Sequence, residues 1–331
     1  GIKMEPNMLM RFASVSKLIT AVGIMKLQEM KKLKLNEKVF GPKGILNDTT
    51  YNNGIKDQRY YDITVEQLLR HQAGFNNYAG DPVSSTRYIM MQNHLTTPPD
   101  HKTLLRILLK RHLGYTPGQG KCYSNLGYMI LSMVIEKKSG MKYENFMQKY
   151  VLQPAGCYDM HIAGTYLKDR RPNETKYYMH QGSIPVYEYN NSGRLVEKCY
   201  GDTDLPRLSG AGAWCGSAAE LSRFIASIDG MPHVKDILSK KSIQFMTTEQ
   251  PDHQYSIGWN YTPKSNRPWI RTGSLAGTSA LVLKYPDGQC WILITNTSTW
   301  KGHGFSNDSM AFFEKLRQKY MPDMPKKDLF I

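Results

Sequence analysis

The 331-residue sequence contains no apolar run that approaches the ~20 residues needed to span a membrane. Its longest apolar stretches, such as residues 18–25, are far shorter. Residues 1–10 also lack the basic start and the continuous apolar core of a secretory signal. We therefore expect no membrane span and no retained signal peptide in this chain, and composition leaves the compartment open.

Cysteine is scarce, with five residues and no C-x-x-C pair. This spacing indicates neither a zinc knuckle nor a dense disulfide scaffold. Because an unpaired cysteine usually packs as a small apolar side chain, we expect mostly buried free thiols. The histidines show no H-E-x-x-H spacing, so no metal site of that type is predicted, and we expect His71 to be a structural loop residue bonded to backbone.

Acidic residues are in the minority, with 28 Asp and Glu against 43 Lys and Arg and a formal net charge of +15. Clustered basic side chains can neutralise nucleic-acid phosphates. Here the basic clusters are dispersed, and no glycine-aromatic RNA-binding signature accompanies them. We therefore expect no nucleic-acid partner, and a solvated basic surface that favours anionic polymers or substrates.

Helical periodicity dominates the chain up to about residue 228. The first predicted helix runs from residue 14 to about residue 35, where apolar residues recur at three- and four-residue steps. Further helices are predicted at residues 64–71, 102–113, 126–138, 143–152 and 218–228. Residues 168–204 are polar and irregular.

The C-terminal part changes to short β-rich runs, at residues 255–261, 269–272, 278–284 and 290–296. Asp287-Gly288 between the last two runs is a hairpin signal. We predict three or four antiparallel strands, with a final helix over residues 309–320 against one side. Helices in a run and strands in a run indicate an α+β fold, in which an antiparallel sheet is flanked by helices and an all-helical region is inserted before the sheet.

This pattern predicts two domains. Residues 1–40 and 205–331 would form the sheet domain together with the first helix, and residues 41–204 would form a mainly helical domain.

The strongest candidate for chemistry is Ser14-Val15-Ser16-Lys17 at the start of the first helix. Positions i and i+3 share one helical face, so the Lys17 amine can reach the Ser14 hydroxyl. A serine hydroxyl is a poor nucleophile until a base takes its proton, and a desolvated lysine with a lowered pKa can act as that base. The N–H groups of a helix N-terminus would stabilise an oxyanion, so this arrangement suits acyl transfer.

The motif alone does not decide the site. Two other serine–lysine pairs have the same spacing, Ser139 with Lys142 and Ser298 with Lys301. Tyr-x-Asn occurs four times, starting at Tyr51, Tyr123, Tyr143 and Tyr189. A basic residue before Thr-Gly occurs only once, at Arg271-Thr272-Gly273. The order of the motifs along the chain must therefore select among them.

Taken in the order Ser14/Lys17, Tyr123/Asn125 and Arg271/Gly273, the motifs resemble those of the serine β-lactamase and penicillin-binding-protein superfamily. The local sequences are most similar to its class C β-lactamase, D-alanyl-D-alanine carboxypeptidase and esterase branch. The segments that carry the resemblance are residues 12–17, 63–74, 117–128, 210–221 and 255–259. A β-lactamase/transpeptidase-like fold is what this resemblance implies.

The resemblance also implies a mechanism without metal or organic cofactor. Ser14 would attack a carbonyl, while Lys17 and Tyr123 would share its proton and return it to the leaving group. Water would then release the acyl group. The implied substrate-binding residues are Asn125, Arg271, Thr272, Gly273 and Ser274, and the backbone N–H groups of Ser14 and Ser274 would form the oxyanion hole.

The third motif departs from this branch, which usually has Lys or His where this chain has Arg271. Arginine stays protonated and binds carboxylates through two N–H groups, so it stabilises charge but does not shuttle a proton. We expect Arg271 to bind an anionic group such as a peptide C-terminal carboxylate, which favours a peptidase or β-lactam-like substrate. The alternative is that Arg271 pairs with an acidic side chain of the protein.

These inferences predict a serine hydrolase that acts on a small-molecule or peptide substrate, as a D-peptidase, carboxypeptidase or esterase. The alternative is a penicillin-binding or ligand-binding protein that acylates slowly or not at all, because fold does not fix function. An extracytoplasmic location, in the periplasm or at the cell surface, is implied by the resemblance alone.

Thirteen residues precede Ser14, where the family normally places a helix and two strands that flank the last strand of the sheet. Without those strands, residues 290–296 would form an exposed apolar edge. We therefore expect that the N-terminal strands are absent from this chain through cleavage or disorder, or that a second chain covers the sheet edge.

Overall fold

The computed structural model describes residues 3–78, 80–248, 255–299, 301–302 and 304–321. A short 3-10 turn, Ala13–Val15, leads directly into the first α-helix. The helices of the described residues are α1 Ser16–Glu29, α2 Thr49–Asn52, α3 Val65–Leu69, α4 Thr86–Gln92, α5 His101–Leu108, α6 Asn125–Ser139, α7 Tyr143–Met147, α8 Ser209–Gly212, α9 Ala218–Ala226, α10 Lys240–Thr247 and α11 Gly304–Tyr320.

The strands of the described residues form three antiparallel sheets. They are β1 Met10–Arg11, β2 His161–Ile162, β3 Val186–Tyr187, β4 Leu195–Val196, β5 Trp214–Gly216, β6 Trp269–Leu275, β7 Thr278–Lys284 and β8 Cys290–Thr295. The largest sheet has the order β6-β7-β8, a smaller one has the order β1-β5-β2, and β3 pairs with β4. Helices around antiparallel sheets confirm the predicted α+β class.

Helix α1 lies at the centre of the molecule. Every residue from Ser16 to Met25 is buried, so all sides of this part of the helix face the protein interior. A helix that is buried all round differs in this respect from a surface helix, which buries one apolar face. One large apolar core contains side chains of α1, α6 and the β-sheet strand β7. This core therefore packs α1 against both helical and sheet elements. The division of the chain into two domains remains a prediction.

Strand β8 lies at an edge of the main sheet, and all six of its residues are half-buried. Ile292 and Ile294 pack against the main core, whereas Trp291 on the opposite face contacts Phe313 of α11, with 5.4 Å between the ring centroids. Both faces of β8 are thus covered, while no strand among the described residues pairs with its outer edge. That a further segment or chain covers this edge remains a prediction.

Several regions differ from the sequence-based expectations. The helices α2, α4, α8 and α10 lie where no helix was predicted. Residues 255–261 form bends and one isolated bridge, Tyr261 to Ile270, because Gly258 takes a φ of 79° and packs closely on Leu18 of α1. The first helix ends at Glu29, and Lys31 has a left-handed φ of 57°. The polar stretch also contains the β3–β4 hairpin, which the sequence did not indicate.

Other expectations agree with the structure. The strand pair around Asp287-Gly288 forms as predicted, with Lys284 opposite Cys290. All five cysteines are free thiols; three are buried and two are half-buried. Of the helices that the structure describes, none combines the length and the apolar character that crossing a bilayer requires.

Candidate active site

Ser14 and Lys17 lie one turn apart where the 3-10 turn passes into α1. The Lys17 Nζ lies 3.3 Å from the Ser14 Oγ, so the amine and the hydroxyl are within hydrogen-bond distance. The residue before the serine, Ala13, has a φ of 49°, which is uncommon for a residue with a side chain. The backbone is therefore held in an unusual conformation directly before the candidate nucleophile.

The Lys17 side chain is fully buried, and its amine donates to three oxygen atoms besides its interaction with the Tyr123 phenol. Besides the Ser14 Oγ, these are the Asn125 Oδ1 at 2.5 Å and the backbone oxygen of Ala211 at 2.6 Å. An ammonium group has three N–H donors, so this environment satisfies its charged form completely. Three separate parts of the chain thus fix the position of the amine.

Burial lowers the pKa of Lys17, because a charged amine loses its hydration inside the protein. The positive charge of Arg271 lowers the same pKa further, whereas Tyr123 and Asp81 oppose the shift. The net direction is downward, which favours the neutral amine at a lower pH than for a lysine in water. A neutral amine can accept a proton from the serine hydroxyl.

Tyr123 stands beside this pair, at the end of the loop that leads into α6. The Lys17 Nζ lies 4.7 Å from the centroid of its ring, and the Arg271 Nη2 lies 3.4 Å from its hydroxyl oxygen. Burial alone would raise the pKa of Tyr123, but the positive charges of Lys17 and Arg271 outweigh it and lower the pKa to about 8. The phenol is therefore placed to exchange a proton near neutral pH.

The other serine–lysine and Tyr-x-Asn motifs lie elsewhere. Lys142 is exposed, and Lys301 pairs with Asp308. The Tyr143 hydroxyl accepts from the Trp214 Nε1 and shares a hydrogen bond with the Thr20 hydroxyl inside the core. Of these tyrosines, Tyr123 is therefore the one that the contacts described above bring to Ser14 and Lys17.

The start of α6 is fixed by residues that the sequence analysis did not assign to the site. Ser124 caps the helix by accepting from the N–H of Gly127, and the N–H of Ser124 donates to the His71 Nδ1 at 3.1 Å. The expectation that His71 is bonded to backbone is thereby confirmed. Its ring also stacks on that of Tyr123, with 4.6 Å between the centroids.

Two residues of the loop before α4 hold the Tyr123-Ser124-Asn125 segment. The Asn77 Nδ2 donates to the backbone oxygen of Tyr123 at 2.6 Å, and the N–H of Asn125 donates to the Asp81 Oδ2 at 3.1 Å. A carboxylate at a helix N-terminus is electrostatically favourable. Neither residue carries a motif that could have identified it, because their role arises from contacts across more than 40 residues of chain.

Strand β6 closes the other side of the site. A Cβ atom at Gly273 would overlap the backbone oxygen of Phe12 and lie 2.9 Å from the Ser14 nitrogen, so only glycine allows the strand to approach the 3-10 turn this closely. Gly273, predicted from the resemblance to bind substrate, thus has a packing role in the structure. It brings the edge of the sheet to the nucleophile.

The outer edge of β6 presents backbone N–H groups of alternate residues. The N–H of Ile270 donates to the Tyr261 oxygen at 2.9 Å, and the N–H of Thr272 donates to the Asn260 Oδ1 at 2.8 Å. Since alternate N–H groups of a strand point the same way, the N–H of Ser274 also points to this outer edge. That direction suits the oxyanion-hole role predicted for Ser274.

Arg271 is buried and turned toward the nucleophile. Its Nε donates to the backbone oxygen of Ser14 at 2.9 Å, and its Nη2 donates to the same oxygen. Among the residues that the structure describes, none with an acidic side chain forms an ion pair with Arg271, so the predicted alternative of pairing with a protein acid is not observed. Its binding of a substrate carboxylate remains a prediction.

No group of three His, Cys, Asp or Glu side chains within the described part of the chain is arranged to hold a metal ion. The arrangement around Ser14 instead offers a hydroxyl, a buried amine, a phenol with a lowered pKa and backbone donors. Groups of these kinds suit acyl transfer to a serine.

Comparison with known proteins identifies the family. The model of the family described as Beta-lactamase matches residues 1–311. The chain is 25% identical over 299 residues to penicillin-binding protein 4* of Bacillus subtilis, a match that covers 86% of this chain and 59% of that protein. A second penicillin-binding relative from the same species is covered to 60%, so the chain spans about three fifths of the length of these curated relatives.

Solved structures show the same fold. A penicillin-binding protein from Bacillus halodurans superposes with a TM-score of 0.69 at 19% identity, covering 95% of this chain and 88% of that chain. The D-amino acid amidase from Ochrobactrum anthropi SV3 superposes with a TM-score of 0.70 at 18% identity, covering 96% of this chain and 87% of that chain. The chain therefore belongs to the Beta-lactamase family, within the serine β-lactamase and penicillin-binding-protein superfamily that its motifs resemble.

Proposed function

We propose that this chain is a serine hydrolase that cleaves amide or ester bonds through an acyl-enzyme. The observation that carries the proposal is the 3.3 Å contact between the Ser14 Oγ and the buried amine of Lys17, beside the Tyr123 phenol. Family membership supports a hydrolase, and the penicillin-binding and D-amino acid amidase names of similar proteins favour D-configured peptide-like substrates.

In the first step, the Ser14 oxygen would attack the substrate carbonyl as Lys17 and Tyr123 accept the hydroxyl proton. The N–H groups of Ser14 and Ser274 would bind the oxyanion. The same proton would pass to the leaving amine or alcohol, and water would then repeat the sequence and release the acid. Asn125 would hold Lys17 and the substrate, and Thr272 would line the strand edge against which the substrate lies.

Within this class, a D-peptidase or carboxypeptidase and an esterase are the two activities that we propose. An extracytoplasmic location is also proposed, on the family resemblance alone. The second candidate function is a penicillin-binding protein that acylates slowly or not at all. It is favoured by one observation: Lys17 donates to three oxygen atoms, a network that fully satisfies the ammonium form and so resists its loss of a proton.

A fluorophosphonate or fluorescent penicillin probe tests the proposal. We expect covalent labelling of the wild-type chain, loss of labelling in Ser14→Ala, and turnover of at least one member of a panel of D-amino-acid amides, D-peptides and short esters. Labelling without turnover would favour the second candidate. Unchanged labelling in Ser14→Ala would contradict both, and Ser139→Ala provides the matched control at a serine with the same Ser-x-x-Lys spacing.

A further inference from the structure

Arg271 makes contacts that are unusual for a residue expected to bind substrate. Only 1% of its surface is exposed, although it lies on the edge strand β6. Its Nε and Nη2 both donate to the backbone oxygen of Ser14, and Nη2 also approaches the Tyr123 hydroxyl at 3.4 Å. One guanidinium group thus contacts the backbone of the candidate nucleophile and the candidate acid–base phenol.

The geometry leaves this edge of the guanidinium unavailable to a ligand. A carboxylate is bound best by two parallel N–H groups of an arginine, and the Nε–Nη2 edge offers such a pair. Here that edge faces the Ser14 carbonyl. A lysine ammonium is a point charge on a flexible chain and could not reproduce a two-donor contact with one oxygen, so an Arg-to-Lys exchange at this position is not conservative.

We propose that Arg271 is a positioning residue, which fixes the Ser14 carbonyl at the start of α1 and holds the Tyr123 phenol beside it, in place of binding a substrate carboxylate. The effect of this positioning on the reaction rate rests on the proposed function, whereas the contacts of Arg271 with Ser14 and Tyr123 do not. The contact would also stabilise the unusual backbone at Ala13, since a Ser14 carbonyl that is hydrogen-bonded to Arg271 resists relaxation of the strained turn.

The charges around Tyr123 determine what removal of Arg271 would do. Lys17 faces the phenol from α1 and Arg271 faces it from β6, while the rings of His71 and Tyr255 stack beside it. Burial and the two nearby cations lower the pKa of His71, which keeps that ring neutral. Loss of the Arg271 charge would therefore raise the pKa of both Tyr123 and Lys17.

The first test does not depend on catalysis. Tyrosinate absorbance of the wild type should show one phenol that titrates at a pH of about 8 and that is missing in Tyr123→Phe. In Arg271→Met we expect this titration to move up by about 1 pH unit or more, because a neighbouring positive charge is lost. Arg271→Lys should stay near the wild type, and the exposed Arg267→Met is the matched control.

The second test measures the rate of Ser14 labelling and hydrolysis of matched neutral and carboxylate-bearing substrates. Arg271→Lys should slow labelling about 10- to 100-fold despite its retained charge, since the two-donor contact is lost and the serine is misplaced. Arg271→Met should slow both substrates to the same extent. A loss confined to the carboxylate-bearing substrate would overturn the proposal and restore the substrate-binding role.

The outcomes separate this inference from the proposed function. If the wild type is not labelled but the Tyr123 titration still depends on Arg271, the hydrolase proposal fails, whereas the contact of Arg271 with the phenol is supported. If labelling is normal but neither the titration nor the labelling rate changes in Arg271→Met, the positioning role is wrong. If circular dichroism shows that Arg271→Met does not fold, Arg271→Lys tests the positioning role in its place. Slower labelling with an unchanged Tyr123 titration would support the role, and unchanged labelling would contradict it.

Discussion

The side-chain oxygen of Asn125 accepts a hydrogen bond from the Lys17 amine at 2.5 Å, although 108 residues separate the two in the chain. This contact joins the first turn of α1 to the first residue of α6. Because Asn125 is itself held by the Asp81 carboxylate, the position of the amine depends on a loop that contributes no group to the proposed chemistry.

Replacement of Lys17 by methionine should abolish most acylation. Methionine fills a similar volume but removes the proposed base, so we expect labelling of Ser14 to fall by roughly 10²–10⁴-fold, the usual contribution of a positioned acid–base group. The rate of probe labelling at fixed pH measures this. Lys142→Met is the matched control, since Lys142 follows Ser139 at the same spacing but is exposed; an equal loss there would contradict the assignment.

The labelling rate should rise with pH through about 8. Below that value Tyr123 holds its proton and cannot accept another, and above it the phenolate is available. Protonation of Lys17 at low pH acts in the same direction. Rates measured from pH 6 to pH 10 should therefore increase, and Tyr123→Phe should lose the step near 8. A flat profile in the wild type would show that neither group is the base.

Asp81→Asn should destabilise the start of α6, although Asp81 has no role in the proposed chemistry. The amide would place an N–H group against the N–H of Asn125, and the favourable charge at the start of α6 would be lost. We expect a loss of about 1–3 kcal/mol in the free energy of unfolding, with slower labelling of Ser14. Asp62→Asn, the same change at an exposed carboxylate, is the control and should have little effect on either measurement.

Gly273→Ala should be strongly disruptive. The added methyl group would overlap the Phe12 carbonyl and press on the Ser14 nitrogen, so strand β6 and the 3-10 turn must move apart. Overpacking of this kind costs about 1–3 kcal/mol in stability. Thermal unfolding and labelling rate should both fall, whereas Gly54→Ala, where an added Cβ makes only ordinary contacts, should change neither.

The sequence predicted the contact between Ser14 and Lys17 because this contact depends on short spacing. Ser14 and Lys17 are three residues apart where the 3-10 turn passes into α1, and that spacing brings the amine within reach of the hydroxyl. Tyr123 could be chosen among four similar pairs only through the order of the motifs in a known family. Periodicity also predicted the three strands of the main sheet and the helices α1, α3, α5, α6, α7, α9 and α11, with errors mainly at their ends, whereas it missed α2, α4, α8 and α10.

The remaining contacts could not be predicted because they join distant segments through groups without a sequence signal. The Ala211 partner of Lys17 is a backbone oxygen, which every residue carries. Asp81 and Asn77 look like ordinary loop residues, and only the folded chain places them at α6. The contacts of Arg271 could not be predicted for a related reason: its identity showed a fixed charge, but not that its donors face the Ser14 carbonyl.

The three hydrogen bonds that the Lys17 amine donates have a consequence for what happens when this group loses a proton. When the ammonium loses a proton it keeps two hydrogens and gains a lone pair, so one of its three contacts must reverse direction. The oxygens of Asn125 and Ala211 carry no hydrogen and can only accept. Of these three, the Ser14 hydroxyl is the partner that carries a hydrogen, and loss of the ammonium proton therefore lets the serine proton turn toward the amine that is to accept it. The Tyr123 phenol, which also hydrogen-bonds to Lys17, is a second hydroxyl able to do the same.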